Sequence, residues 1–131
     1  MNKKYGILIC LLTIVSYSYA QEMKLVVIPD TQSFLQWCPE VLEAQQNWLD
    51  QNHSQIDAVA QLGDLTQDNT HVEWYVMSNF FKTIEKHAIP YTFALGNHDM
   101  GSKPRVSADE RNTTMANKYF PVDRQNKQKS W

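Results

Sequence analysis

The chain has 131 residues, of which 43% are hydrophobic, 20% charged and 11% aromatic. These proportions are typical of a globular protein and exclude disordered, collagen-like and linker-dominated chains, and the length allows one domain. The net charge of −2 gives no nucleic-acid signature, because proteins that bind the phosphate backbone usually present an excess of Lys and Arg.

The first twenty residues are typical of a secretory signal peptide. Lys3 and Lys4 form a short basic region, residues 7–15 are apolar except for Thr13, and the segment ends in small residues up to Ala20. The apolar run is far shorter than the roughly 20 residues that span a bilayer. We therefore expect residues 1–20 to be removed, which leaves residues 21–131 in the periplasm or outside the cell without a membrane span. An uncleaved anchor is the alternative.

Three short apolar runs predict buried strands. They cover residues 24–28, 56–62 and 91–95, and each ends at a proline or a glycine. Continuous apolar runs of this length are typical of parallel strands, which are covered on both faces.

Two helices are predicted between the strands. Pro39 opens the first, which runs to about residue 51. Thr70 and Glu73 form a capping box that begins the second, whose apolar residues recur at positions 72, 76, 80 and 84 and are joined by those at 77 and 81. A further helix is predicted over residues 109–119. The resulting β-α-β-α-β order predicts an α/β fold with a parallel sheet and right-handed crossovers.

A polar cluster follows each predicted strand. The clusters are Asp30-Thr31-Gln32, Gly63-Asp64 with residues 65–68, and Gly96-Asn97-His98-Asp99. Each cluster taken singly is explained by a turn, because turns favour Asp and Asn. In a parallel sheet, however, the three lie along one edge, where open α/β sheets bind ligands. Carboxylate, amide and imidazole groups suit divalent cations, so we expect a metal site, with Asp64 at the central strand bridging two ions.

These clusters resemble the metal-binding motifs of the calcineurin-like metallophosphoesterases: Asp-x-His, Gly-Asp and Gly-Asn-His-Asp or Gly-Asn-His-Glu. The second and third motifs match in full, whereas Gln32 stands where the family has His. The resemblance implies that the β-α-β-α-β unit is half of an αββα sandwich that uses two divalent ions, Mn, Fe or Zn. By the same resemblance, Asp30, Gln32 and Asp64 would face the first metal, and Asp64 and Asn97 the second.

The resemblance also implies a reaction and two catalytic residues. The substrate would be a phosphate mono- or diester, hydrolysed by a secreted enzyme. His98 would protonate the leaving oxygen or stabilise the pentacoordinate phosphorus, and Asp99 would orient His98.

The later motifs of the family, a lone His and Gly-His-x-His, are not found after residue 98. We therefore expect residues 21–131 to be the N-terminal part of a phosphoesterase domain, to leave one face of the sheet uncovered and to turn over little substrate alone. Two alternatives remain open. One is an inactive remnant that acts as a metal-binding module, and the other is a non-enzymatic domain whose strand-end residues only form turns.

Cleavage of the signal peptide is the first testable prediction. Mass spectrometry of the exported protein should find Gln21 at the new N-terminus, because small residues precede it. Recovery of intact Met1 in the membrane fraction would instead support the uncleaved anchor.

Overall fold

The computed structural model of the chain describes residues 22–101 and 110–126, so the predicted signal peptide lies outside the described residues. Three parallel strands form one sheet in the order β1-β2-β3, and they are Leu25–Ile28, Ala58–Gln61 and Tyr91–Phe93. The predicted α/β class and the parallel half-sheet are confirmed. Each strand is shorter than its apolar run: β1 begins one residue later, β2 begins two residues later and ends one residue earlier, and β3 ends two residues earlier.

Helices alternate with the strands in the predicted order. The five α-helices are α1 Gln32–Trp37, α2 Pro39–Asn52, α3 His71–Lys86, α4 Thr114–Tyr119 and α5 Val122–Asn126. Short 3-10 turns cover His53–Gln55 and Asn97–Asp99. The sequence did not predict α1. The helix predicted over residues 109–119 begins only at Thr114 within the described part of the chain.

The core lies between one face of the sheet and the helices α2 and α3. Ile28 and Val59 pack there with Trp74, Phe81 and Ile84 of α3, all at most 4% exposed. Burial of this apolar surface is the main force that holds α3 on the sheet.

The predicted apolar stripe of α3 is partly wrong. Val72 is 73% exposed and Val76 is 38% exposed, whereas the other predicted residues are buried together with Trp74, namely Met77, Phe80, Phe81 and Ile84. A strict spacing of four residues drifts around a helix that has 3.6 residues per turn, so the two valines at the start of the row leave the core face.

The opposite face of the sheet is open, as expected from the sequence. The strand register places Val27, Ala60 and Thr92 side by side on this face. Val27 and Leu25 are each 51% exposed, and Leu62 just beyond β2 is 62% exposed. Within the described residues, one face of the sheet is therefore buried, and the other face presents exposed apolar side chains.

Arg124 attaches the C-terminal helices to α3. Its Nε lies 2.6 Å from Oε1 of Glu85, and its Nη1 lies 2.7 Å from the hydroxyl of Ser78. The guanidinium also lies over the ring of Phe120, at 4.4 Å from the ring centroid. Glu85 therefore stabilises α3 at the end away from the strand-end loops.

Within residues 22–101 and 110–126, no helix is long and apolar enough to cross a membrane.

The two faces of the sheet should respond differently to the same substitution. Val59→Thr places a hydroxyl in the core, at a residue 1% exposed, and should lower the free energy of unfolding by about 1–3 kcal/mol. Val27→Thr, its counterpart on the open face, should cost less than about 0.5 kcal/mol. Urea denaturation of both variants measures the difference, and equal losses would show that the open face is buried in solution.

Candidate functional site

The three loops that follow the strands lie side by side at the carboxyl edge of the sheet. The backbone N–H of Thr31 donates to the carbonyl of Asp64 at 3.2 Å, which joins the first loop to the second. The backbone N–H of His98 donates to Oδ1 of Asp64 at 3.0 Å, which joins the third loop to the second. Asp64 at the end of the central strand therefore contacts both neighbouring loops, as the parallel order predicts.

Two glycines allow this close approach. Gly63 has a φ of +107°, a backbone angle that residues other than glycine rarely adopt. Gly96 has ordinary dihedral angles, but a Cβ atom there would collide with the carboxylate of Asp64 and lie 2.6 Å from its backbone nitrogen. The carboxylate thus occupies the space that a side chain at position 96 would need.

Asp64 itself has a left-handed backbone, with a φ of 50°. Asp and Asn tolerate this region better than most residues, yet it still costs conformational energy, and such residues cluster at functional sites. Its Oδ1 accepts the His98 N–H, whereas Oδ2 has no hydrogen-bond donor among the described residues. One oxygen of this carboxylate therefore remains available for a ligand.

Asp30 and Gln32 form a compact pair after β1. Oδ1 of Asp30 accepts the backbone N–H of Gln32 at 2.8 Å, and Oδ2 accepts its side-chain amide at 3.0 Å. This pairing turns Oε1 of Gln32 away from Asp30, and that oxygen is buried with no hydrogen-bond donor. A buried acceptor without a donor is costly, and a bound cation or water would satisfy it.

Asn97 lies in the 3-10 turn after β3 and is exposed. Together with Asp30, Gln32 and Asp64 it gives the carboxyl edge two carboxylates and two side-chain amides. No group of three or more His, Cys, Asp or Glu side chains in the described ranges is arranged to hold a metal. All four predicted ligands bind through oxygen, which suits hard divalent cations. Two of the four, the amides of Gln32 and Asn97, are neutral.

His98 has one defined ring contact. Its Nδ1 lies 2.6 Å from the backbone carbonyl oxygen of Gln67. A carbonyl can only accept a hydrogen bond, so Nδ1 carries the proton in this contact. Nε2 is then the ring nitrogen that this contact leaves unprotonated in the neutral ring.

The predicted role of Asp99 as the group that orients the His98 ring is wrong in this structure. Asp99 is fully buried, and its carboxylate accepts hydrogen bonds from the backbone N–H groups of Leu65, Thr66 and Gly96 and from the Thr66 hydroxyl, at 2.8–3.0 Å. Burial raises the pKa of Asp99, and the three N–H groups and the hydroxyl act in the opposite direction. The side chain joins two loops, and the carbonyl of Gln67 orients the ring.

Sequence reasoning missed several groups that support the site. Thr31 and Thr66 are fully buried, and each bonds through its hydroxyl to a neighbouring loop. The carbonyl of Gln67 was missed as well, and no side-chain pattern could have revealed it, because every residue has such a carbonyl. The capping box in the sequence did indicate Glu73, but it did not indicate that the Glu73 carboxylate also accepts the backbone N–H groups of Gln67 and Asp68.

Comparison with known proteins places the chain among phosphoesterases. A family model described as calcineurin-like phosphoesterase matches residues 23–130. An uncharacterized protein of Bacillus subtilis (strain 168), YvnB, is 28% identical over 102 residues, which are 76% of this chain and 7% of that protein. The chain thus spans a small part of the length of this relative.

Gly96→Ala tests the contact between Gly96 and Asp64. Because the backbone at position 96 suits any residue, the expected loss of about 1–3 kcal/mol in the free energy of unfolding comes from the collision alone. The loss should be smaller in an Asp64→Ala background, where part of the collision is removed. Thermal unfolding of the single and double variants measures this coupling, and additive losses would contradict the contact.

Proposed function

Since the chain belongs to the calcineurin-like phosphoesterase family, as its three strand-end motifs predicted, we propose that it takes part in metal-dependent hydrolysis of phosphate mono- or diesters. The observation that supports this most strongly is the contact between Asp64 and His98 across two loops, with the backbone nitrogen of His98 3.0 Å from Oδ1 of Asp64. It brings a candidate metal ligand and a candidate proton donor together at the edge of the sheet where α/β proteins bind ligands.

Asp30, Gln32 and Asp64 would hold a first divalent cation, and Asp64 and Asn97 a second. Oδ2 of Asp64 and the buried Oε1 of Gln32 have no hydrogen-bond donor within the described ranges, and both fit a cation-binding role. When bound, such cations would supply Lewis-acid activation of the phosphoryl group. The donors are oxygens, so Mn²⁺ or another hard ion fits this set better than a soft one.

His98 would act on the leaving group. With Nδ1 held by the carbonyl of Gln67, the Nε2 of a protonated ring can donate to the leaving oxygen while the ring keeps its orientation. Asp64 fixes the backbone of the same residue, so ring and main chain are both restrained. A preorganised donor of this kind reduces the entropic part of the barrier.

A metal-binding module without turnover is the second candidate. It is favoured by the donor set, in which Gln32 and Asn97 are neutral and no third carboxylate or imidazole in the described residues completes a metal-binding group. We further propose that the protein acts after export, on the basis of its N-terminal sequence. Turnover of substrate separates the enzyme from the binding module.

Asp64 should be the metal ligand whose loss matters most. Asp64→Asn removes a charge that both ions would share and keeps a residue that tolerates the left-handed backbone, so metal affinity should fall about 10–100-fold or more. Asp68→Asn, four residues further on, is the matched control and should change affinity little. Calorimetric titration with Mn²⁺ or Zn²⁺ measures both, and equal losses would indicate a diffuse acidic surface.

His98 should contribute to the chemical step more than to metal binding. His98→Ala should lower the rate of hydrolysis of p-nitrophenyl phosphate or its bis-ester by about 10²–10⁴-fold, the range for a general acid. The metal content should stay nearly unchanged. The assay uses the chain itself. If the chain alone is inactive, the assay uses the chain extended with the C-terminal half of another member of the family. Loss of metal together with rate would reassign His98 as a ligand.

A further inference from the structure

We propose that Glu73, the residue that caps α3, is a positioning residue for His98 and acts through the backbone of residues 67–70. The proposal rests on the proposed role of His98 in phosphoester cleavage. Glu73 lies in the first turn of α3 and touches no candidate metal ligand, so nothing in the strand-end motifs points to it. Its importance follows from the loop that it holds.

The carboxylate of Glu73 binds more of the chain than a helix cap requires. A capping box needs only two bonds: Oε2 of Glu73 accepts the backbone N–H of Thr70 at 2.9 Å, and the Thr70 hydroxyl accepts the backbone N–H of Glu73 at 3.3 Å. Glu73 also accepts the backbone N–H of Gln67 at 3.2 Å and that of Asp68 at 3.1 Å, both on Oε1. One carboxylate therefore collects donors from three residues of the loop that leads from β2 into α3.

The same loop orients the His98 ring. The N–H of Gln67 donates to Glu73, and the carbonyl of Gln67 accepts the Nδ1–H of His98 at 2.6 Å. Residue 67 thus lies between the two side chains, with its N–H bound to one and its carbonyl bound to the other. A shift of this residue moves the acceptor that selects the tautomer and direction of the imidazole.

The rest of the loop is held independently, which isolates the effect of Glu73. On one side, Thr66 is bonded to the buried Asp99. On the other, Asn69 accepts the indole N–H of Trp74 at 2.7 Å and donates to the carbonyl of residue 101 at 3.0 Å. Residues 67 and 68 lie between these two fixed points, and Glu73 receives both of their N–H groups. Loss of the Glu73 carboxylate should release the N–H of residue 67 and leave the two ends of the loop in place.

Nuclear magnetic resonance of the histidine side chains tests the proposal. In a ¹⁵N-labelled sample at a pH where the ring is neutral, bare and protonated ring nitrogens have well-separated shifts, and His98→Gln assigns the signals. The unsubstituted chain should show His98 as one tautomer with the proton on Nδ1. Glu73→Ala should lose this signature and give averaged shifts, and the milder Glu73→Gln, which keeps one acceptor oxygen, should give a smaller change in the same direction.

Glu85→Gln and Glu85→Ala are the matched controls, because Glu85 lies on the same helix and loses ionic contacts to Arg124 instead. These variants should lower the melting temperature and leave the His98 signals unchanged. Unchanged His98 signals in both Glu73 variants would show that Glu73 only caps α3, and equal changes in the Glu85 variants would show general loosening. Either result overturns the proposal. The readout needs no turnover, so failure of the proposed phosphoesterase activity is detected separately.

Discussion

One buried carboxylate holds the strand-end loops together. Asp99 accepts four hydrogen bonds, three from backbone N–H groups and one from the Thr66 hydroxyl, and these come from the loops after both β2 and β3. Because the N–H groups of Leu65 and Gly96 bind the same side chain, the backbone that follows Asp64 is fixed relative to the third motif. The burial that raises the pKa of Asp99 also makes these bonds strong, since water cannot compete for them. The position of every candidate ligand on β2 and β3 depends on this junction.

Around this junction, side-chain oxygens are the candidate cation ligands, whereas main-chain groups orient the side chains. Carboxylate and amide oxygens of Asp30, Gln32 and Asp64 are the groups that a cation would contact. Among the described residues, neither the buried Oε1 of Gln32 nor Oδ2 of Asp64 has a hydrogen-bond donor. Main-chain groups do the orienting: an N–H of His98 fixes Asp64, and the carbonyl of Gln67 fixes the His98 ring. With Gln32 in place of the family histidine, the proposed first metal position would have oxygen ligands, which would favour harder cations.

The sequence predicted the strands, the main helices and the convergence of the three motifs, because apolar runs, the capping box at Glu73 and the parallel order follow from local patterns. It failed where the answer depends on tertiary contacts. The Gly-Asn-His-Asp motif suggested that Asp99 faces His98, but the left-handed turn at Asp64 brings the N–H groups of the β2 loop to Asp99 instead. The exposed position of Val72 likewise depends on how α3 is rotated against the sheet, which spacing alone leaves undetermined.

The proposed function requires a divalent cation at the carboxyl edge of the sheet. Mn²⁺ added to the ¹⁵N-labelled chain broadens amide signals near the bound ion, so the measurement locates the site directly. We expect the signals of residues 30–32, 63–65 and 97–98 to broaden first. A second cluster, where the His53 and His87 rings stack at 3.8 Å beside Asp50, is the internal control and should stay sharp at the same Mn²⁺ ratio. Earlier broadening at that cluster, or uniform broadening along the chain, would contradict a cation site at the carboxyl edge.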